Sequence, residues 1–307
     1  MRIDAMLAER AERAEPAFSF EFFPPKTPEG ERNLFDAVTA LRELRPAFVS
    51  VTKTGASTQA DTIDLVRRIR SEYGVEAAAH FTCAGATLSE LRSSLERLRG
   101  SGLENVVALR GDPPRGSQAF SATDGGLEHA SQLVELISSE YDFCTVAACY
   151  PETHPEASDA DSDLEYLCTK VAAGARVLIT NLFFSNEAFF AFERRARAAG
   201  ITIPIVPGIM PINKADQIKR FTAIGGISIP PDLLAALDAR GDDTEAVADL
   251  GVAYATLQCA ELLAAGAPGV HFYTLNRSPA TRAILSALRL MRPWEQRASG
   301  SAVGGAL

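Results

Sequence analysis

Residues 170–184 read KVAAGARVLITNLFF. Their first part ends a helical stretch running from Asp159 to Ala173; the β-branched run Val177 to Thr180 then reads as a short strand, and Asn181 stands where it stops. The same unit recurs in both directions along the chain. Strands are predicted at Phe18 to Phe22, Ala47 to Val51, Glu76 to Thr82, Asn105 to Leu109, Phe143 to Ala148, Val177 to Thr180, Ile203 to Val206 and Gly269 to Tyr273. Helices are predicted at Glu31 to Leu44, Asp61 to Tyr73, Thr87 to Gly100, Glu128 to Tyr141, Asp159 to Ala173, Asn186 to Ala199, Lys214 to Ala223 and Asp243 to Ala265. Thr87 with Glu90 forms a capping box, and Gly100 and Gly200 mark helix stops. Repetition of a strand and a helix eight times predicts an α/β fold, a single (β/α)8 TIM barrel over residues 1–294. An extra helix from Pro279 to Leu288 follows the last strand, and the small, flexible tail over 295–307 is expected to be disordered.

Composition narrows the function. Of 307 residues, 30 are basic and 39 acidic, a net charge of −9 that gives no general drive toward phosphate backbones or anionic lipid. Charged residues interrupt every apolar run short of the roughly 18 residues that a membrane span needs, and the start MRIDAMLAERAERAEP lacks an apolar signal core. A cytoplasmic enzyme is expected, with neither nucleic acid nor membrane as partner. Cys83, Cys144, Cys149, Cys168 and Cys259 never form a CxxC pair, so neither a disulfide framework nor a metal site is suggested.

Barrel enzymes gather their chemistry at the carboxyl ends of the strands. In FSFEFFPPKTPEG, residues 18–30, alternation sets Phe18, Phe20 and Phe22 on one face and Ser19, Glu21 and Phe23 on the other. Glu21 therefore points into the mouth, where desolvation is expected to raise its pKa and keep a usable proton, as a general acid requires. The alternative for Glu21 is a buried carboxylate paired with a cation. Asp112, in NVVALRGDPP at 105–114, suits a carboxylate that stabilises a developing cation or anchors ring N–H groups. Thr52, Lys53, His80, Arg110, Tyr150, His154, Asn181, Tyr273 and Arg277 stand at other strand ends.

In combination these segments resemble the methylenetetrahydrofolate reductase family, in its bacterial form consisting of the catalytic domain alone. The matching motifs are FSFEFFPPKT, VSVT at 49–52, HFTC at 80–83, VALRGDPP at 107–114, YPETHPEA at 150–157, the unit quoted above, VPGIMPI at 206–212 and HFYTLNR at 271–277. The resemblance implies reduction of 5,10-methylenetetrahydrofolate to 5-methyltetrahydrofolate with NADH as hydride donor. It implies that Glu21 protonates N10, opening the ring to an N5 iminium ion, and that Asp112 favours the cation. Asn181, Tyr273 and Arg277 fall on the folate side, and Thr52, Lys53, His80, Arg110, Tyr150 and His154 on the cofactor side. The sequence does not fix the oligomeric state.

Departures from the family gather on the flavin side. The tyrosine and most glycines usual after the second strand's threonine are missing from Thr52-Lys53-Thr54-Gly55-Ala56-Ser57-Thr58. Between Glu156 and Glu165 five acids occur with no base before Lys170, where relatives carry basic and amide groups toward a flavin diphosphate; Tyr166 and Thr169 hold two such positions. Ala215 replaces an aromatic common in flavin-dependent members. FAD is therefore the doubtful cofactor. The resemblance points to the flavin-independent branch, in which nicotinamide passes hydride directly to the folate carbon and Lys53 is a candidate for its phosphates. A conventional FAD-mediated reductase and a non-catalytic folate-binding protein are the alternatives.

Overall fold

Neighbouring parallel strands need a crossover between them, and the chain supplies helices for each. The computed structural model describes residues 1–53, 57–111, 120 and 122–296. Its strands are β1 (Ala17–Phe22), β2 (Phe48–Val51), β3 (Ala77–Thr82), β4 (Asn105–Leu109), β5 (Cys144–Cys149), β6 (Val177–Thr180), β7 (Ile205–Val206), β8 (Gly208–Ile209) and β9 (Gly269–Tyr273). Helix α1 (Ile3–Glu12) precedes them, and α2 (Pro28–Arg42), α3 (Gln59–Tyr73), α4 (Leu88–Gly100), α5 (Ala130–Glu140), α6 (Ala160–Ala172) and α7 (Asn186–Ala198) follow β1 to β6 in turn. Three helices, α8 (Ala215–Gly225), α9 (Pro231–Asp238) and α10 (Thr244–Ala264), join β8 to β9, and α11 (Pro279–Met291) follows β9.

The sheet order is β7-β6-β5-β4-β3-β2-β1-β9-β8, all parallel, so its two ends are the two halves of one stave joined through Pro207. This closes a (β/α)8 barrel. It also corrects the expected single strand Ile203 to Val206: the ladder starts at Ile205 and changes neighbour at Pro207, which has no N–H to donate. The Pro207 carbonyl instead accepts from His271 N at 2.9 Å. Gly208 holds this seam, because a Cβ there would lie 2.3 Å from the Thr180 carbonyl oxygen and 2.7 Å from Tyr273 Cε2.

Strand alternation sorts the core into two layers. Phe18, Phe20 and Phe22 face the helices together with residues such as Leu34, Val38 and Ile63. The inward face packs Ala17, Phe48, Ala78, Val107, Val146, Val177 and Val206 against Ile3 and Leu7 of α1. Helix α1 thus plugs the floor of the barrel, and Asn105 Oδ1 fixes its start by accepting from Ile3 N at 2.8 Å. Local signals set several helix ends: Thr87 and Glu90 make the expected capping box, and Thr58 and Asp61 make another on α3.

Helix α10 is, by length and composition, apolar enough to cross a membrane. Asp249 and Glu261 lie within it, and its buried residues, among them Val247, Ala255, Cys259 and Leu262, pack with α7, α9 and α11 as part of the outer helical layer. Past α11, Trp294 meets the Phe18 ring edge-on at 6.1 Å. The predicted tail lies outside the described residues from 297 onward.

Candidate active site

The lower barrel is apolar, but the next layer toward the carboxyl ends is polar. Register sets Ser19 beside His271, and Glu21 between Ser50 of β2 and Tyr273 of β9. Glu21 is 6% exposed and points inward, as alternation predicted. Its Oε2 lies 3.2 Å from His80 Nε2 and 3.5 Å from His271 Nε2, and accepts from Ser50 Oγ at 3.4 Å. Ser19 Oγ meets His271 Nδ1 at 2.8 Å. With that hydroxyl donating to Nδ1, the ring carries its proton on Nε2, facing the carboxylate. The Glu21 carbonyl accepts from Thr274 Oγ1 at 2.6 Å, tying β1 to the turn after β9.

This environment reverses the expected direction of the Glu21 shift. Burial pushes the pKa up, but the charge of His80, hydrogen bonds from His271 and His80, and the charge of His271 outweigh it and hold the carboxyl at about 2. The unliganded site therefore contains a carboxylate between two imidazoles. His271, 1% exposed, is the residue that sequence reasoning passed over. Its signal was available: it occupies an inward position at the head of HFYTLNR, two residues before Tyr273.

Around this cluster the other strand ends divide into two groups. Thr52, His80 and Thr82 are buried at the ends of β2 and β3, and Thr52 Oγ1, Thr82 Oγ1 and His80 Nε2 have no aligned hydrogen-bond partner among the described residues. Gln59 of α3 steadies that edge, donating from Nε2 to the His80 carbonyl at 2.8 Å and accepting from Thr82 N at 3.4 Å. Unpaired polar atoms in an otherwise dry wall suit a planar heteroaromatic amide, such as a nicotinamide or a flavin edge. Lys53, half-buried at the end of β2, has its pKa lowered by desolvation.

Across the mouth, Tyr273 donates its hydroxyl to the Thr180 carbonyl at 2.6 Å, and burial followed by the Glu21 charge pushes its pKa well up. Asn181 follows β6, with its N–H bonded to the Cys149 carbonyl at 2.7 Å. Arg277 is exposed on the rim. Asp112 lies outside the described residues.

Arg110, Tyr150 and His154 share the β4–β5 side. Arg110 is held by Glu156 through two bonds of 2.5 and 2.7 Å, and its guanidinium stacks over Phe120. The Tyr150 and His154 rings meet edge-on at 4.6 Å. His154 Nδ1 accepts from Glu156 N at 3.0 Å, so this ring is neutral with its proton on Nε2, consistent with the lowering of its pKa by burial. At the start of α6, Asp159 accepts from the N–H groups of Asp161 and Ser162. Tyr166 is 61% exposed, and Thr169 bonds back to the Glu165 carbonyl. The inward cation of α6 is Lys170, whose Nζ donates to the Ala148 carbonyl at 2.6 Å.

The family model for methylenetetrahydrofolate reductase matches residues 6–289. The chain belongs to the methylenetetrahydrofolate reductase family. It is 39% identical over 303 residues to methylenetetrahydrofolate reductase (NADH) 1 of Arabidopsis thaliana, covering 95% of this chain and 51% of the plant protein. It is 40% identical over 271 residues to 5,10-methylenetetrahydrofolate reductase of Escherichia coli, covering 88% of this chain and 90% of that one. The chain thus spans about half the length of its plant relatives and most of the bacterial one. Among solved structures, an uncharacterised Clostridium thermocellum protein that binds two copies of 5-methyl-5,6,7,8-tetrahydrofolic acid shares the fold, with a TM-score of 0.61 at 14% identity over 93% of this chain and 99% of that one. Within a methylenetetrahydrofolate reductase fold, the Glu21 cluster thus lies on the mouth side of the barrel floor, and the acids that set this chain apart are engaged as a cap and as the partner of Arg110.

Proposed function

We propose that the protein reduces 5,10-methylenetetrahydrofolate to 5-methyltetrahydrofolate, with NADH passing hydride directly to the folate carbon. The observation that carries this reading is the Glu21 carboxylate, buried between His80 and His271 at the mouth of the barrel. An iminium ion must be made before hydride can attack it, and making it takes one proton on N10. The ionised cluster can hold that proton on an imidazole beside the carboxylate. When the reactants cover the mouth and remove water, both charged forms lose solvation, and the proton moves from imidazolium to Glu21. Glu21 then protonates N10, the bond from N10 to the methylene carbon breaks, and the electron pair of that bond stays on N10. Hydride from C4 of NADH reaches the methylene carbon, leaving NAD⁺ and the 5-methyl product. Asp112 stabilises the cation, while Asn181, Tyr273 and Arg277 hold the folate. Thr52, His80 and Lys53 receive the nicotinamide and its phosphates, with Arg110, Tyr150 and His154 forming the adjacent wall.

Direct transfer is supported by the first turn of α6. Asp159 already occupies two of the N–H groups that would hold a diphosphate, and Asp161 and Asp163 add negative charge there. A flavin-mediated route is the second reading, and Lys170 favours it: this buried ammonium has donors beyond its bond to Ala148. The test is NADH oxidation dependent on 5,10-methylenetetrahydrofolate, without added flavin, alongside the visible spectrum. A colourless active enzyme is expected, and Glu21→Gln should lower kcat by roughly 10²- to 10⁴-fold while folate binding persists. An unchanged rate in Glu21→Gln would refute the assignment of the acid; stoichiometric bound flavin would select the second reading.

A further inference from the structure

On the rim of the mouth lies a cavity of about 460 Å³ whose lining includes Lys214, Arg220 and Arg277 against one carboxylate, Asp216. It sits between the start of α8 and the turn after β9, the two loops that close the last quarter of the barrel. The turn is fixed to the catalytic strand: Asn276 Oδ1 accepts from Phe23 N at 2.7 Å and its Nδ2 donates to the Phe23 carbonyl at 2.9 Å, two residues beyond Glu21. A reactant seated over Glu21 therefore has this cavity beside it.

Within α8 the cations differ. Lys219 is neutralised by Asp238 at 2.7 Å, whereas no carboxylate among the described residues lies within ion-pair distance of Lys214, Arg220 or Arg277. Such a concentration of unpaired positive charge, in a chain of net charge −9, is an anion site. The cations stand on long, separate stems, and the segment Asn213-Lys214-Ala215-Asp216-Gln217 has no glycine to bring backbone N–H groups around a diphosphate. Spaced charges match spaced carboxylates.

We propose that this cavity binds the carboxylates of the folate's γ-glutamyl tail, making the oligoglutamyl form the preferred substrate. The proposal rests on the reductase reading for its ligand, but its first test needs no turnover. Calorimetry compares p-aminobenzoyl-triglutamate with p-aminobenzoyl-monoglutamate as probes. The triglutamate should bind roughly three- to tenfold more tightly, as expected for two or three exposed ion pairs, and added salt should erase the difference. The Lys214→Ala/Arg220→Ala variant should bind both equally.

In turnover, that variant should raise KM for triglutamyl 5,10-methylenetetrahydrofolate toward the monoglutamyl value, with kcat and KM for NADH unchanged. Unchanged kcat on the monoglutamyl substrate shows that the variant is folded. Equal binding of the two probes by the wild type, or a preference that survives in the variant, would overturn the proposal. A raised KM for NADH with tail preference intact would assign the cations to the dinucleotide diphosphate and overturn it as well. A chain that binds the triglutamate preferentially but reduces no folate would keep the subsite and refute the reductase reading.

Discussion

At the scale of single residues, the chemistry depends on Glu21 being charged in the empty site and protonated in the closed one. Its carboxyl falls from the ordinary 4.5 to about 2 in the folded chain, so its ionised form stabilises the fold above the unfolded value, and that contribution fades as pH falls through about 2. Melting temperatures of the wild type and Glu21→Gln should therefore differ near pH 5 and converge as the pH is lowered toward about 3. A gap that widens with acid would contradict the assignment. The inward aim of Glu21 was legible from alternation within β1, because it is local. The sign of its shift was not, since His80 and His271 come from strands far away in sequence and meet it only through closure of the barrel. Likewise, the five acids between Glu156 and Glu165 were visible as a run, but not that Glu156 holds Arg110 or that Asp159 caps α6.

At the scale of elements, the eight staves and most of their helices follow from period and end signals written locally, such as the Thr87 and Glu90 box. Two features needed the tertiary structure. Helix α1 has a short apolar face, Ile3, Met6 and Leu7, which becomes meaningful only against the barrel floor. Leu7→Ala should cost about 2–4 kcal/mol in urea unfolding while leaving kcat nearly unchanged, because the floor lies below the Glu21 layer. The other feature is the broken seventh stave, where Pro207 interrupts the ladder and Gly208 admits the Thr180 carbonyl and the Tyr273 ring. Gly208→Ala pushes on backbone as well as side chain, and should destabilise by about 1–3 kcal/mol and raise KM for folate by displacing Tyr273. A variant with wild-type stability and KM would show that the seam is looser than these distances imply.

At the scale of the whole molecule, one barrel joins an apolar floor, a buried acid cluster and a mouth with unpaired polar atoms on the β2–β3 side and cations on the β8–β9 side. That division lets two reactants approach one carbon from different walls. In direct transfer, hydrogen from C4 of the nicotinamide reaches the folate carbon without passing through an exchangeable N–H. The decisive measurement is mass spectrometry of 5-methyltetrahydrofolate made in ordinary water with NADH deuterated at both C4 positions and no added flavin. Direct transfer predicts one deuterium in every product methyl group; an unlabelled methyl, or no methyl product, would contradict it.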